Sequence, residues 1–144
     1  MARKKALVLI VEDDADLGAS VVEYLKDEGL DAKLARDGDH AMRMVDALSP
    51  AIVVLDLMMP RRDGFSVLRE LRSDGCLSSL PVIVVTAIFG LSERQYATEL
   101  GAADYITKPF KLDELYGRIV ALLPADIRPG GAPRQPSGDL PGSS

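Results

Sequence analysis

Cysteine is nearly absent from this sequence: Cys76 is the only one in 144 residues. A single thiol excludes an internal disulfide and any metal site built from cysteines. Beside Gly75, near the expected end of a helix, Cys76 reads as a packing residue. No apolar run reaches the roughly 18 residues of a membrane span, and no signal-peptide pattern is present. These absences predict a cytoplasmic protein with no membrane partner. Positive charge is also short, with 17 Lys and Arg against 22 Asp and Glu, a net charge of −5 and a pI near 4.9. No basic patch with interleaved aromatics appears, and Arg3-Lys4-Lys5 reads as a solvated end, so direct nucleic-acid binding is disfavoured.

What is present is ordinary for a single soluble domain, at 47% hydrophobic and 27% charged. Ala6 to Val11 and Val53 to Leu55 are continuous apolar runs, as is Val82 to Val85, and each reads as a strand buried on both faces. Asp31 to Arg36 and Ala103 to Thr107 are more polar and read as edge strands. Helical spacing links Leu17, Val21, Tyr24 and Leu25, ending at Gly29. The same spacing links Ala41, Met44, Val45 and Leu48, then Val67, Leu68 and Leu71 behind an Asp63 cap, and finally Leu112, Leu115, Ile119 and Leu122. Ser92-Glu93-Arg94-Gln95 has the form of a capping box for a further helix through Tyr96, Ala97 and Leu100.

Five strands alternating with five helices predict an α/β fold: a doubly wound, five-stranded parallel sheet in the order 2-1-3-4-5. Residues 1–123 form this domain. The last 21 residues, 124–144, hold five prolines and four glycines. They are expected to be a disordered tail or linker, because they bury too little to offset their ordering entropy.

The chemistry lies at the carboxyl ends of the strands. Strand 1 delivers Glu12 and Asp13, strand 3 delivers Asp56, strand 4 ends in Thr86, and Lys108-Pro109 follows strand 5. In the expected order the three acids converge where the strand order reverses, the usual ligand position in such sheets. Three carboxylates packed together repel unless a proton or cation intervenes. With oxygen ligands alone, a hard divalent ion such as Mg²⁺ suits them, or Mn²⁺ in its place. Asp14 or Asp16 reads instead as a helix cap. The loop after strand 1 is acidic, lacking the glycine-rich amide cradle of a nucleotide or flavin site. An anion therefore enters through a metal, which points to phosphoryl chemistry.

These residues resemble the receiver domain of two-component response regulators, over residues 6 to about 123. The matching motifs are Glu12-Asp13, Asp56 followed by Met58-Met59-Pro60, Asp63-Gly64, Thr86-Ala87, Gly101-Ala102-Ala103-Asp104-Tyr105 and Lys108-Pro109-Phe110. Their spacing also fits, with intervals of 43, 30 and 22 residues from Asp13 to Asp56, Thr86 and Lys108 in turn. The resemblance implies that Asp56 accepts a phosphoryl group from a histidine kinase or phosphotransfer protein. It implies that Asp13, Asp56 and the Met58 carbonyl bind Mg²⁺ directly and Glu12 through water, while Lys108 and Thr86 contact the phosphoryl oxygens. Lys108-Pro109 is the expected cis bond. Thr86 and Tyr105 are the expected switch pair, repacking the surface of helix 4, strand 5 and helix 5. That surface would control a downstream protein or output domain, and Asp104 with Arg118 marks it as a possible homodimer face. His40, in the second helix, reads as a surface residue and not a relay histidine. Met58 and Ile88, both apolar, are expected to flank the phosphoryl group and slow its hydrolysis.

The resemblance thus describes a signalling phosphoacceptor rather than a turnover enzyme. One rival is a pseudo-receiver that binds a partner constitutively, against which Asp13, Asp56, Thr86 and Lys108 are all intact. Another is an Asp-nucleophile phosphatase or phosphotransferase of the haloacid-dehalogenase kind. Such enzymes carry a second acid two residues after the nucleophile, where this chain has Met58.

Overall fold

A computed structural model describes residues 5–59, 63–74, 79–87 and 90–129. The apolar runs form β1 (Leu7–Val11), β3 (Ile52–Leu55) and β4 (Val82–Thr86), flanked by β2 (Asp31–Ala35) and β5 (Asp104–Thr107). All pair in parallel in the order β2-β1-β3-β4-β5, as expected, with the two more polar strands at the edges.

Period-2 alternation divides the core. Leu9, Val11, Val53, Leu55, Val82 and Val84 face one side, against α2 (Gly38–Leu48), α3 (Gly64–Ser73) and α4 (Leu91–Glu99). Val8, Ile10, Ile52, Val54, Ile83 and Val85 face the other, against α1 (Ala15–Asp27) and α5 (Leu112–Leu122). Central strands covered on both faces must be apolar at every position, which is why their sequences show no alternation. Asp14, Asp37 and Asp63 cap α1, α2 and α3, each accepting from first-turn amides. Among the described residues, no helix is long and apolar enough to cross a membrane.

Three local expectations are corrected. The capping box at Ser92 does not form: α4 starts at Leu91 behind Gly90, which has no side chain to cap with. Glu93 instead leans back towards Gly90, its Oε1 2.2 Å from where a Cβ would stand. Leu48 is 41% exposed rather than inward. Because α2 runs antiparallel to the strands, its last turn overhangs their amino ends, and Leu48 there lines an open cavity of about 450 Å³ with Lys5, Asp31 and Ile127.

The disorder expected from residue 124 does not hold for the first part of that segment. Ala125–Ile127 forms a 3₁₀ turn, and Ile127 packs against the core shared by β1, β3 and α5. The Arg128 guanidinium closes back on the Leu123 carbonyl at 3.1 Å. Residues 130–144, Cys76 and Gly75 lie outside the described residues.

Candidate functional site

Parallel register aligns the strand ends. Val11 pairs with Leu55 and Leu55 with Val84, so the next residues, Glu12 and Asp56, emerge side by side. The Asp56 amide donates to the Val11 carbonyl at 3.1 Å, and the Lys108 amide to the Thr86 carbonyl at 2.8 Å. Glu12, Asp56 and Thr86 are the buried polar or charged residues among those described. All three belong to this one edge of the sheet.

Lys108 binds the acids together. Its ammonium donates to Glu12 Oε1 at 2.6 Å and to Asp56 Oδ2 at 2.9 Å. The second oxygen of each acid accepts a backbone amide: Asp14 to Glu12 Oε2 at 3.2 Å, Met58 to Asp56 Oδ1 at 2.9 Å. Burial pushes the Glu12 carboxyl above its usual range and the Asp56 charge adds to this, against the pull of Lys108 and the Asp14 amide. Burial works against the Lys108 charge as well, yet its hydrogen bonds to Glu12 and Asp56 outweigh that and hold the ammonium above its usual value. The Lys108-Pro109 bond is cis, as expected.

Asp13 completes the cluster. One carboxylate oxygen from each of Glu12, Asp13 and Asp56 lies within 4.8 Å of the others. Like charges that close repel by roughly 3 kcal/mol at an effective dielectric of about 20. Three carboxylates against one ammonium leave two negative charges uncompensated, which one divalent cation would balance. All the donors are oxygens, so the set suits a hard ion.

The α3 entry supports the loop carrying Asp56. Gly64 sits so close beneath it that a Cβ would lie 2.4 Å from the Asp56 carbonyl oxygen and 2.6 Å from Leu57 Cα. Only glycine permits that approach. The Met58 side chain, beyond the acid, is 55% exposed.

Tyr105 is buried, at 6% exposure, rather than half-buried as an edge-strand aromatic would be. The Arg94 guanidinium of α4 lies 5.5 Å from its ring centroid. On the same side Arg118 pairs with Asp104 at 2.7 Å and Glu114 at 3.4 Å, both within the chain. Ile88 lies outside the described residues. Three features were not read from the sequence: the Met58 amide, the Arg94 cover on Tyr105, and the Arg36 side chain, which reaches the Asp13 carbonyl. The two arginine contacts depend on a side chain meeting a distant partner, and the Met58 amide turns back on Asp56 two residues before it through loop geometry that no residue pattern marks.

With this geometry in place, comparison with known proteins decides the family. The response regulator receiver domain family matches residues 8–120. The chain belongs to that family. This receiver domain of two-component phosphorelay signalling is 44% identical over 116 residues to the response regulator MprA of Mycolicibacterium vanbaalenii, covering 81% of the chain and 49% of that protein. It is 46% identical to MprA of Mycobacterium leprae over the same length, covering 50% of it. The chain thus spans about half the length of these curated relatives. Among solved structures it resembles the Francisella response regulator 1452 receiver domain, with a TM-score of 0.77, 31% identity, and coverage of 82% and 96% of the two chains. It also resembles the BeF3-activated N-terminal receiver domain of Klebsiella pneumoniae RstA, with a TM-score of 0.72, 29% identity, and coverage of 78% and 94%.

Proposed function

We propose that this receiver accepts a phosphoryl group on Asp56 from the phosphohistidine of a histidine kinase or phosphotransfer protein. The observation carrying the reading is the buried Glu12–Lys108–Asp56 bridge with Asp13 beside it. An Asp56 carboxylate oxygen attacks phosphorus, the phosphorus–nitrogen bond breaks, and its electron pair stays on the imidazole nitrogen. The product is an acyl phosphate. Such transfer needs charge neutralisation and positioning more than covalent help.

Lys108 already holds one Asp56 oxygen, and its ammonium is the fixed positive charge for the phosphoryl oxygens. Thr86, fully buried at the end of β4, supplies a hydroxyl donor. Glu12, Asp13, Asp56 and the Met58 carbonyl would hold Mg²⁺ or Mn²⁺, which supplies neutralisation of the charge shared by acceptor and phosphoryl group. Repositioning of Thr86 and Tyr105 alters the α4–β5–α5 surface. That surface then acts on a downstream protein, on an output domain, or on a second copy through the Asp104–Arg118 region. The exposed Met58 side chain offers water no hydrogen bond and slows hydrolysis.

The test is mass measurement after incubation with Mg²⁺ and a small phosphodonor. One phosphoryl adduct is expected, lost in Asp56→Asn and shorter-lived in Met58→Asn. No adduct in the wild type, or an equal one in Asp56→Asn, overturns the reading.

A further inference from the structure

The three acids of the site are held in different ways. Glu12 and Asp56 are each gripped at both carboxylate oxygens, by Lys108 and by backbone amides. Among the described residues, no hydrogen bond reaches the Asp13 carboxylate. What holds Asp13 is its backbone: Arg36, just past the end of β2, donates from Nε at 3.3 Å and from Nη2 at 3.1 Å to the Asp13 carbonyl oxygen. The neighbouring Glu12 amide donates to the Ala35 carbonyl at 3.0 Å, so the β1–α1 loop is fastened to the end of β2 at two successive residues.

We propose that Arg36 is a positioning residue for divalent-cation binding: its guanidinium fork fixes the Asp13 peptide, and through it a carboxylate that has no hydrogen-bond partner among the described residues. The inference rests on the reading of Glu12, Asp13 and Asp56 as the cation site. Two effects of Arg36 oppose each other. Its positive charge repels a divalent ion, while its fork orders a ligand. The guanidinium is exposed to solvent, where the high dielectric of water cuts Coulomb repulsion at a given separation to a fraction of its value in the interior. The fork acts through a rigid peptide directly bonded to the ligand residue, and planar double donation is the geometry in which Arg loses least entropy per bond. Orientation therefore outweighs repulsion. Residues that support ligands typically contribute about 10–100-fold to metal affinity, and an exposed backbone clamp belongs at the low end of that range.

The experiment is a calorimetric titration of the metal-free receiver with Mn²⁺, alongside thermal unfolding in chelator. Arg36→Ala is expected to weaken Mn²⁺ binding about tenfold with little change in the chelated melting temperature. Arg36→Lys, which keeps charge but not the fork, should recover only part of the loss. Unchanged or tighter binding in Arg36→Ala overturns the inference, since tighter binding means that charge repulsion dominates. So does full recovery by Arg36→Lys, or a loss of affinity matched by an equal loss of metal-free stability. Wild-type protein that binds no Mn²⁺, or an Asp13→Asn variant that binds it as well as wild type, removes the cation site itself and this inference with it. Metal binding lost in Asp13→Asn but intact in Arg36→Ala removes only the role of Arg36.

Discussion

At the scale of single residues, Lys108 pairs with two buried acids, and in the function proposed above its ammonium is also the charge that an incoming phosphoryl group meets. Buried ion pairs are weak evidence of net stabilisation, because desolvation offsets attraction. Their position beside Asp13 and Thr86 is better explained by chemistry than by folding. Tyr105 permits a pH test away from that cluster. Burial pushes its phenol above the ordinary value near 10, Glu93 adds to the shift and the Arg94 cation opposes it. A raised folded value means that the fold favours the protonated ring, so its contribution is complete below pH 10 and is lost as pH rises past that value. A difference titration of phenolate absorbance between wild type and Tyr105→Phe should therefore show this tyrosine ionising above the ordinary phenol range. Ionisation at or below that range would mean that the ring is not held inside.

At the scale of elements, α4 stands apart. Ala97 is its one buried residue. Its other ties run to β5, where Arg94 lies over Tyr105, and to α3, where the Phe65 and Tyr96 rings meet at a tilt with centroids 5.1 Å apart, Arg69 donates to the Tyr96 hydroxyl at 3.1 Å, and Arg72 donates to the Glu99 carbonyl. An element with so little buried surface can shift at low cost, which suits the proposed change of this face on phosphorylation of Asp56. The helix α5 is anchored instead by Leu115, Ile119 and Val120. Within it Gly117 is exposed, and a Cβ there would meet nothing within 4 Å. Gly117→Ala should therefore stabilise the domain by about 0.5–1 kcal/mol, read from urea unfolding. Destabilisation would show that the helix needs glycine at this position.

At the scale of the whole molecule, the chain closes over the end of the sheet opposite the acidic site. Beyond α5 it crosses the amino ends of the strands. Ile127 separates the cavity beside Leu48 from a second one, of about 570 Å³, lined by Val45, Leu80, Pro81 and Leu122. Pro129 then lies against Gly29, 3.3 Å from where its Cβ would be. The ordered domain thus extends past its last helix. Ile127→Ala should cost about 1 kcal/mol, below the ~2–5 of a fully buried isoleucine because the side chain is half-buried. An unchanged urea midpoint would mean that this turn contributes no packing. Composition gave no sign of the turn, since a single isoleucine among prolines and glycines carries no periodicity.

The sequence by itself determined the strand order, the cap at Asp63, and the meeting of Glu12, Asp13, Asp56, Thr86 and Lys108 at the carboxyl end of the sheet. The physical reason is that fully buried strands must be apolar throughout, so each polar residue at their ends stands out, and parallel pairing brings those ends together. Tertiary structure decided what depends on groups distant in sequence. It set Lys108 on Oδ2 of Asp56 and on Glu12, and it set the clamp of Arg36 on Asp13. It also decided that α4 begins at a glycine without a side-chain cap, and that Ile127 finds an apolar seat. Such contacts depend on side-chain reach across elements, and no local spacing encodes them.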